Sequence, residues 1–318
     1  NWLSNINISF LIKRRVSYVV SGTFIVIGLS SLFLNGLNQG VDFVGGRSYI
    51  VRFEQPVSQE KIQSNLIQVL GNAEVKTFGS DNQLKITTNY KVDTDSSDVD
   101  DEINNILFTD LNEFMPENIA YEDFVVNGDE NKQAGVMSSI KVGPTIADDI
   151  KKNSFYAVFG SLIIVFLYIL LRFKDWQFSL GAVSAVFHDV LVVLGIFSLT
   201  YSFMPFNMEI NQAFIAAVLT VIGYSLNDTV VVFDRIREYR NINTSWELPR
   251  VVDSALNSTL SRTLNTSFTT LVVLISIFVF GGESIRGFMF ALIVGVLIGT
   301  YSSVFVATPV MYDTLKKK

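Results

Sequence analysis

The chain has 318 residues, 49% of them hydrophobic and 17% charged, with a mean hydropathy of +0.38. That is too apolar for an ordinary soluble protein of this size and places the chain in a membrane. With no cysteine and a single histidine, a disulfide framework and a thiolate metal site are excluded, a multi-histidine metal centre is not expected, and no cofactor is called for.

The chain opens on Asn1 with no signal peptide ahead of its first apolar run, so it reads as a piece of a longer polypeptide. Six segments, at 16–35, 154–172, 179–203, 212–233, 263–281 and 286–309, approach or exceed the roughly 20 apolar residues that cross the hydrocarbon core. Lys13, Arg14 and Arg15 precede the first, and Arg172 and Lys174 separate the second from the third. Arg235, Arg237, Arg240 and Arg250 follow the fourth, and Lys316 to Lys318 end the chain. With six crossings these clusters all fall on one side, which the positive-inside rule makes cytoplasmic, together with both termini. The expected organisation is a cytoplasmic N-terminus with the first helix (1–35), a domain on the outer side (36–153), five further spans (154–311) and a basic cytoplasmic tail (312–318). In a bacterial inner membrane the outer side is the periplasm.

The net charge of −6 is unevenly spread: residues 36–153 hold 20 acidic and 10 basic side chains, whereas the remainder is basic. An acidic soluble part disfavours nucleic acid as a partner. Alternation and turn residues predict strand 48–53, helix 58–70, strands 74–78 and 84–88, helix 99–114 and strand 119–126. That βαββαβ order is a small α+β ferredoxin-like domain between spans 1 and 2. Residues 91–98 read as an exposed linker, and 135–142 as one more strand leading through Gly143 and Pro144 toward the second span. Asp42 precedes Gly45 and Gly46, a pair suited to a tight turn because glycine tolerates positive φ.

The fourth span carries Asp228, about 16 residues and ~24 Å below its outer end at 1.5 Å per residue. An intramembrane acid is a functional-site candidate, because its charge is costly in hydrocarbon. Burial favours the neutral form and a nearby cation the ionised one, so such a carboxyl could load and release a proton. It could equally be a static member of a buried ion pair. Arg262, at the start of the antiparallel fifth span, is the natural partner, or else snorkels to the headgroups. His188 and Asp189 fall near the middle of the third span; adjacent helical residues point about 100° apart, so they do not share one face. Ser225, Asn227 and Thr229, with Asn265 and Thr266, lie along the helices beside the two charges, as water-holding groups or as polar glue. Gly295 and Gly299 form a small-xxx-small step that implies close helix contact.

Taken in order, these motifs resemble the SecF family of bacterial protein-export subunits (SecD/SecF), within the RND transporter superfamily. The most specific stretch is GYSLNDTVVVFDRIRE over 223–238, opening on Gly223. Others are VDFVGG at 41–46, VGP at 142–144, FHD at 187–189, SRTLNTS at 261–267, GTYSS at 299–303, and Ala307 with Thr308 and Pro309. The resemblance implies an RND half-unit of six transmembrane helices and favours the proton role for Asp228. Read from the residues, Arg262, Asp189 and His188 are candidates to complete a proton or ion relay, with Asp189 alternatively a hydrogen-bond acceptor for Thr, Ser or Tyr of other spans and His188 a packing residue. The resemblance implies SecD as partner, on a separate or fused chain, the SecYEG translocon, a translocating unfolded polypeptide and membrane lipids. The implied activity is export driven by the proton or sodium motive force rather than enzymatic chemistry. Two other readings remain at this stage: a half-unit of an RND exporter of small molecules or lipids, and a scaffold of the translocon that moves no ions.

Overall fold

The computed structural model describes residues 8–94, 96–117, 119–125 and 132–315. In chain order the elements are α1 (Arg14–Leu34), α2 (Val41–Val44), β1 (Gly46–Arg52), α3 (Gln59–Leu70), β2 (Glu74–Phe78), β3 (Ser80–Thr88), α4 (Ser97–Leu111), α5 (Tyr121–Val125), β4 (Gly135–Val142), α6 (Pro144–Phe173), α7 (Trp176–Thr200), α8 (Gln212–Ile242), α9 (Leu248–Phe280), α10 (Glu283–Ser302) and α11 (Thr308–Leu315).

Among the described residues, six helical segments are long and apolar enough to cross a membrane: α1 with its leading turn, α6, α7, α8, α9, and α10 continued by α11. α7 and α10 are central, while α1, α6 and α9 leave most of their apolar surface uncovered. Phe33, Leu171 and Phe280 are almost fully exposed. Such faces are stable against lipid and would be sticky in water. The helices run past their apolar stretches: α8 continues to Ile242 rather than 233, and α9 starts at Leu248 rather than 263. The polar extension of α8 is supported by i,i+3 ion pairs, Arg237 with Asp234 at 3.1 Å and Arg235 with Glu238 at 2.7 Å.

The basic clusters gather at one end of the bundle. Arg14, entering α1, pairs with Asp313 near the end of α11 at 3.1 Å, and Arg172, ending α6, pairs with Asp234 of α8 at 3.0 Å. Lys316 to Lys318 lie outside the described residues.

α10 and α11 are joined through a π-helical turn, Ser303–Ala307, in which the Thr308 hydroxyl donates to the Ser303 carbonyl at 2.9 Å. Pro309 follows directly; it supplies no amide hydrogen and would clash with the carbonyl four residues back in a regular helix, and a widened turn relieves this.

At the other end of the bundle sits the α+β domain. Its sheet is antiparallel in the order β2-β3-β1-β4, the ferredoxin-like arrangement. Ile62, Leu66 and Leu70 line one stripe of α3, and Val99, Ile103, Leu107 and Leu111 one stripe of α4. These stripes cover the face of the sheet bearing Tyr49, Val51, Leu84 and Ile86. Full burial of each aliphatic side chain contributes about 2 kcal/mol. Ser58 and Ser96 cap the two helices, accepting from the amides of Lys61 and Asp98. Capping at Ser96 starts α4 inside the segment expected as linker.

The fourth strand is not the one foreseen at 119–126. Tyr121–Val125 is a short helix, in which the Phe124 amide donates to the Ala120 carbonyl at 3.0 Å, and residue 126 lies outside the described residues. The free edge of β1 is taken by β4 instead, while Phe124 is buried against the Phe108 ring at 5.4 Å. One buried aromatic pins the segment as a helix over α4.

Candidate functional site

Two short connections set the end of α8 nearest the α+β domain. Gly45 and Gly46 adopt φ of 74° and 127°, and a Cβ on Gly46 would lie 2.5 Å from the Thr88 carbonyl oxygen. This turn sends the chain from α2 into β1 and holds it against β3. Asp42, just before it, accepts from the Gln212 amide at 3.0 Å, while Asn211 accepts from the Phe214 amide at 3.0 Å. Both acceptors answer free amides at the start of α8 and sit at the positive end of its dipole. Gly143 and Pro144 form the corresponding joint on the other strand: β4 ends at Val142, and Pro144 opens α6 where its missing amide hydrogen costs nothing.

Along α8, close contact with α10 builds the interior. A Cβ on Gly295 would meet the Val221 side chain at 2.0 Å, and one on Gly299 would meet Ser225 Cβ at 3.0 Å. The two backbones approach because neither glycine carries a side chain. This brings the hydroxyls at the end of α10 against α7 and α8. Asp189, only 1% exposed, accepts from Ser225 Oγ at 2.6 Å and from Ser302 Oγ at 2.7 Å on one oxygen. Its other oxygen lies 3.0 Å from His188 Nδ1. The neighbours thus meet through their side-chain tips although their Cβ directions diverge. Next along, Thr229 Oγ1 and Ser303 Oγ are 2.9 Å apart, and the Thr229 hydroxyl also reaches the Ser225 carbonyl at 3.1 Å. A connected polar seam therefore crosses α7, α8 and α10.

Asp228 stands apart from this seam. It is 1% exposed, and neither carboxylate oxygen has a hydrogen-bond partner among the described residues. Arg262 does not form the ion pair expected from the sequence; it interacts with Asp228 only through space. Tyr224 OH meets Ser267 Oγ at 3.4 Å, a contact that fixes the register of α8 against antiparallel α9. One turn onward in α8 and one turn back in α9 put Asp228 level with Thr263. The Thr263 hydroxyl is also buried without a partner among the described residues. α9 begins four turns before Arg262, so that arginine lies within a continuous helix rather than at its start. Charge on Asp228 is costly here unless a proton, a cation or the Arg262 guanidinium answers it.

The remaining sequence candidates divide between two faces. Asn227, Gly223, Arg262 and Asn265 are exposed on the outside of this chain, and Thr266 is half-buried with its hydroxyl donating to the Arg262 carbonyl at 3.0 Å. Gly223 has open space where a Cβ would stand, so no close contact in the chain requires it. Several site residues entered the sequence analysis only as parts of motifs and not as site candidates: Ser302, Ser303, and the Ser267 and Thr300 hydroxyls, 2.6 Å apart. Tyr301 belongs with them, through its 3.1 Å contact with Ser21 Oγ on α1 and its ring 6.1 Å from that of His188. The signal was a run of four hydroxyl side chains, Thr300 to Ser303, inside an apolar span. Among the described residues no group of three acidic, histidine or cysteine side chains converges as a metal site.

The family model described as "Protein export membrane protein SecD/SecF, C-terminal" matches residues 124–317, and "SecD/SecF GG Motif" matches residues 30–57. The protein translocase subunit SecF of Rhodothermus marinus is 45% identical over 310 residues, covering 97% of this chain and 94% of that protein. The chain belongs to the SecF branch of the SecD/SecF protein-export family. The SecF of Vibrio alginolyticus is 36% identical over 95% of this chain and 88% of its own length. The crystal structure of SecDF from Thermus thermophilus, a translocon-associated membrane protein, matches 100% of this chain with a TM-score of 0.81 and 29% identity. SecDF in its super-membrane-facing form matches 98% with a TM-score of 0.65 and 28% identity. This chain spans 40% of the length of each SecDF polypeptide. Asp42, Gly45 and Gly46 fall within the GG-motif match, and Asp189, Asp228, Arg262 and Ser302 within the SecD/SecF match. The protein is a multi-pass membrane protein, a translocase subunit of this family.

Proposed function

We propose that this SecF-family chain works as one half of a SecD–SecF complex in a bacterial inner membrane. Its α+β domain faces the periplasm and both ends face the cytoplasm, and the complex uses an ion gradient to assist the passage of unfolded polypeptide through the SecYEG translocon. The observation that carries this reading is Asp228, buried within an apolar helix with neither oxygen bonded among the described residues, Arg262 included. In such an arrangement a proton or sodium ion on Asp228 and the Arg262 guanidinium compete for one carboxylate. Changing which of them wins changes the force between α8 and α9. A charge crossing 100 mV releases about 2.3 kcal/mol, enough to bias a packing equilibrium but not to overturn it in one step.

The need for a second half follows from the outward polar face. The side chains of Asn227, Arg262 and Asn265 are exposed and make no hydrogen bond or ion pair among the described residues, and lipid tails cannot satisfy them. A partner helix with complementary polar groups would. The route outward to the domain runs through Asp42, which caps α8, and through the Lys85–Glu209 ion pair between β3 and the loop leading into α8.

The deciding experiment compares wild type and Asp228→Asn in the complete complex, reconstituted with the translocon, with and without an imposed gradient. Loss of gradient dependence with unchanged assembly supports the reading. Full retention removes Asp228 from the coupling and favours a scaffold. Replacing sodium by potassium, against adding a protonophore, separates the two ions.

A further inference from the structure

A cleft of about 360 Å³ lies between the N-terminal half of α6 and helices α7 and α8. Its walls are Val158 and Leu162 of α6, Leu194 of α7, and Ile215 and Val218 of α8. The Phe155 and Phe159 rings, 4.3 Å apart and exposed, run along its lip. The cleft therefore opens sideways, toward whatever surrounds the bundle. Water does not fill so apolar a space.

Depth and charge define the occupant. Lys151 lines the outer end and Leu162 the inner end. The eleven helical steps from one to the other span about 16 Å at 1.5 Å per residue, close to the ~15 Å of hydrocarbon in one leaflet. Lys151 is exposed and makes no ion pair among the described residues, and Lys152 stands beside it. Asp148 and Asp149, three and two residues before Lys151 on α6, are exposed and are not part of the cleft lining. An apolar slot one leaflet deep with a free ammonium at headgroup level has the form of a diacyl phospholipid.

We propose that this cleft seats an acyl chain of an anionic phospholipid from the outer leaflet, with its phosphate held by Lys151. A chain lying there packs between α6, which descends directly from β4, and the outer turns of α8, the helix that carries Asp228 further down.

The test uses the full natural polypeptide with its SecD partner, delipidated in mild detergent and titrated with dioleoyl phosphatidylglycerol or dioleoyl phosphatidylcholine. Bound lipids are counted by native mass spectrometry. Wild type should retain one phosphatidylglycerol, with about a fivefold preference over phosphatidylcholine from one lysine at the surface. Leu194→Trp and, separately, Val158→Trp fill the slot and should abolish that adduct while the thermal midpoint is kept. Lys151→Gln, an exposed change that does not threaten folding, should erase the preference while leaving chain binding. An adduct unchanged by both tryptophan variants, or a preference unchanged by Lys151→Gln, overturns the proposal. So does wild type with no retained lipid because a helix of the partner fills the cleft.

Discussion

Asp42 Oδ2 accepts a hydrogen bond from the Gln212 amide at 3.0 Å, so the turn that leaves the first span also caps the helix that carries Asp228. The two residues are far apart in sequence but adjacent at the domain end of the bundle, where Gly40 also donates its amide to the Ile210 carbonyl at 3.0 Å. Asp42→Ala should cost about 1 kcal/mol through the lost cap and dipole interaction, and Asp42→Asn less. Amide exchange in the first turn of α8 checks this; equal protection in both variants would mean that Asn211 alone caps the helix.

The acceptor at the centre of the polar seam is Asp189. Ser225→Ala and Ser302→Ala each remove one donor to its carboxylate and should each cost about 1–2 kcal/mol. Because both serines donate to the same oxygen, the double variant should depart from additivity. Unfolding in detergent measures all three, and strict additivity would show that the two bonds act independently.

Gly295 packs against Val221 with no room for a methyl group. Gly295→Ala should separate α8 from α10 and cost about 1–3 kcal/mol by overpacking. Val221→Ala in the same chain should recover most of the loss, since the clash is with the valine side chain. A chain in which Val221→Ala adds further damage would locate the strain elsewhere.

Lys85 of β3 and Glu209, in the loop before α8, form an ion pair with side-chain exposures of 15% and 4%. It lies beneath the sheet, beside a cavity of about 210 Å³ also lined by Glu283 and Asn207. Removing one partner leaves a buried charge and should cost about 3–5 kcal/mol. Lys85→Glu combined with Glu209→Lys should restore part of the stability. Exchange protection of β3 and thermal midpoints report on both; if the single variants keep wild-type midpoints, the pair does not fasten the domain.

On the domain surface, Glu102 accepts from Lys91 Nζ at 2.6 and 2.8 Å and from Tyr90 OH at 2.9 Å. Lys91 first, then Tyr90, holds the Glu102 carboxyl below its usual range, and the same bond raises the Lys91 ammonium. A carboxylate depressed by folding stabilises above its unfolded value, about 4.3 for glutamate, and that contribution is lost as pH falls through the folded value. The raised lysine adds a contribution that is lost as pH rises through its own folded value in alkali. Carbon-detected titration of Glu102 should show a midpoint below that of Lys91→Ala; equal midpoints would show that the bridge does not persist in solution.

What the sequence determined by itself is what periodicity and apolar length can carry. Six spans, a single basic end and the ferredoxin-like sheet order were legible because burial rewards local pattern directly. Asp228 stood out because one carboxylate in an apolar run is expensive wherever that run packs. What tertiary structure decided was partnership. Within the strand expected at 119–126, Tyr121–Val125 is a helix that buries Phe124 against Phe108 of α4, while β4 takes the sheet edge. Arg262 leaves Asp228 unbonded, and Asp189 gathers Ser225, Ser302 and His188, because the approach at Gly295 and Gly299 and the π turn before Pro309 set which hydroxyls meet which helix. Those contacts join residues distant in sequence through ångström-scale shifts in backbone separation, and a linear pattern of residue types holds no measure of that distance.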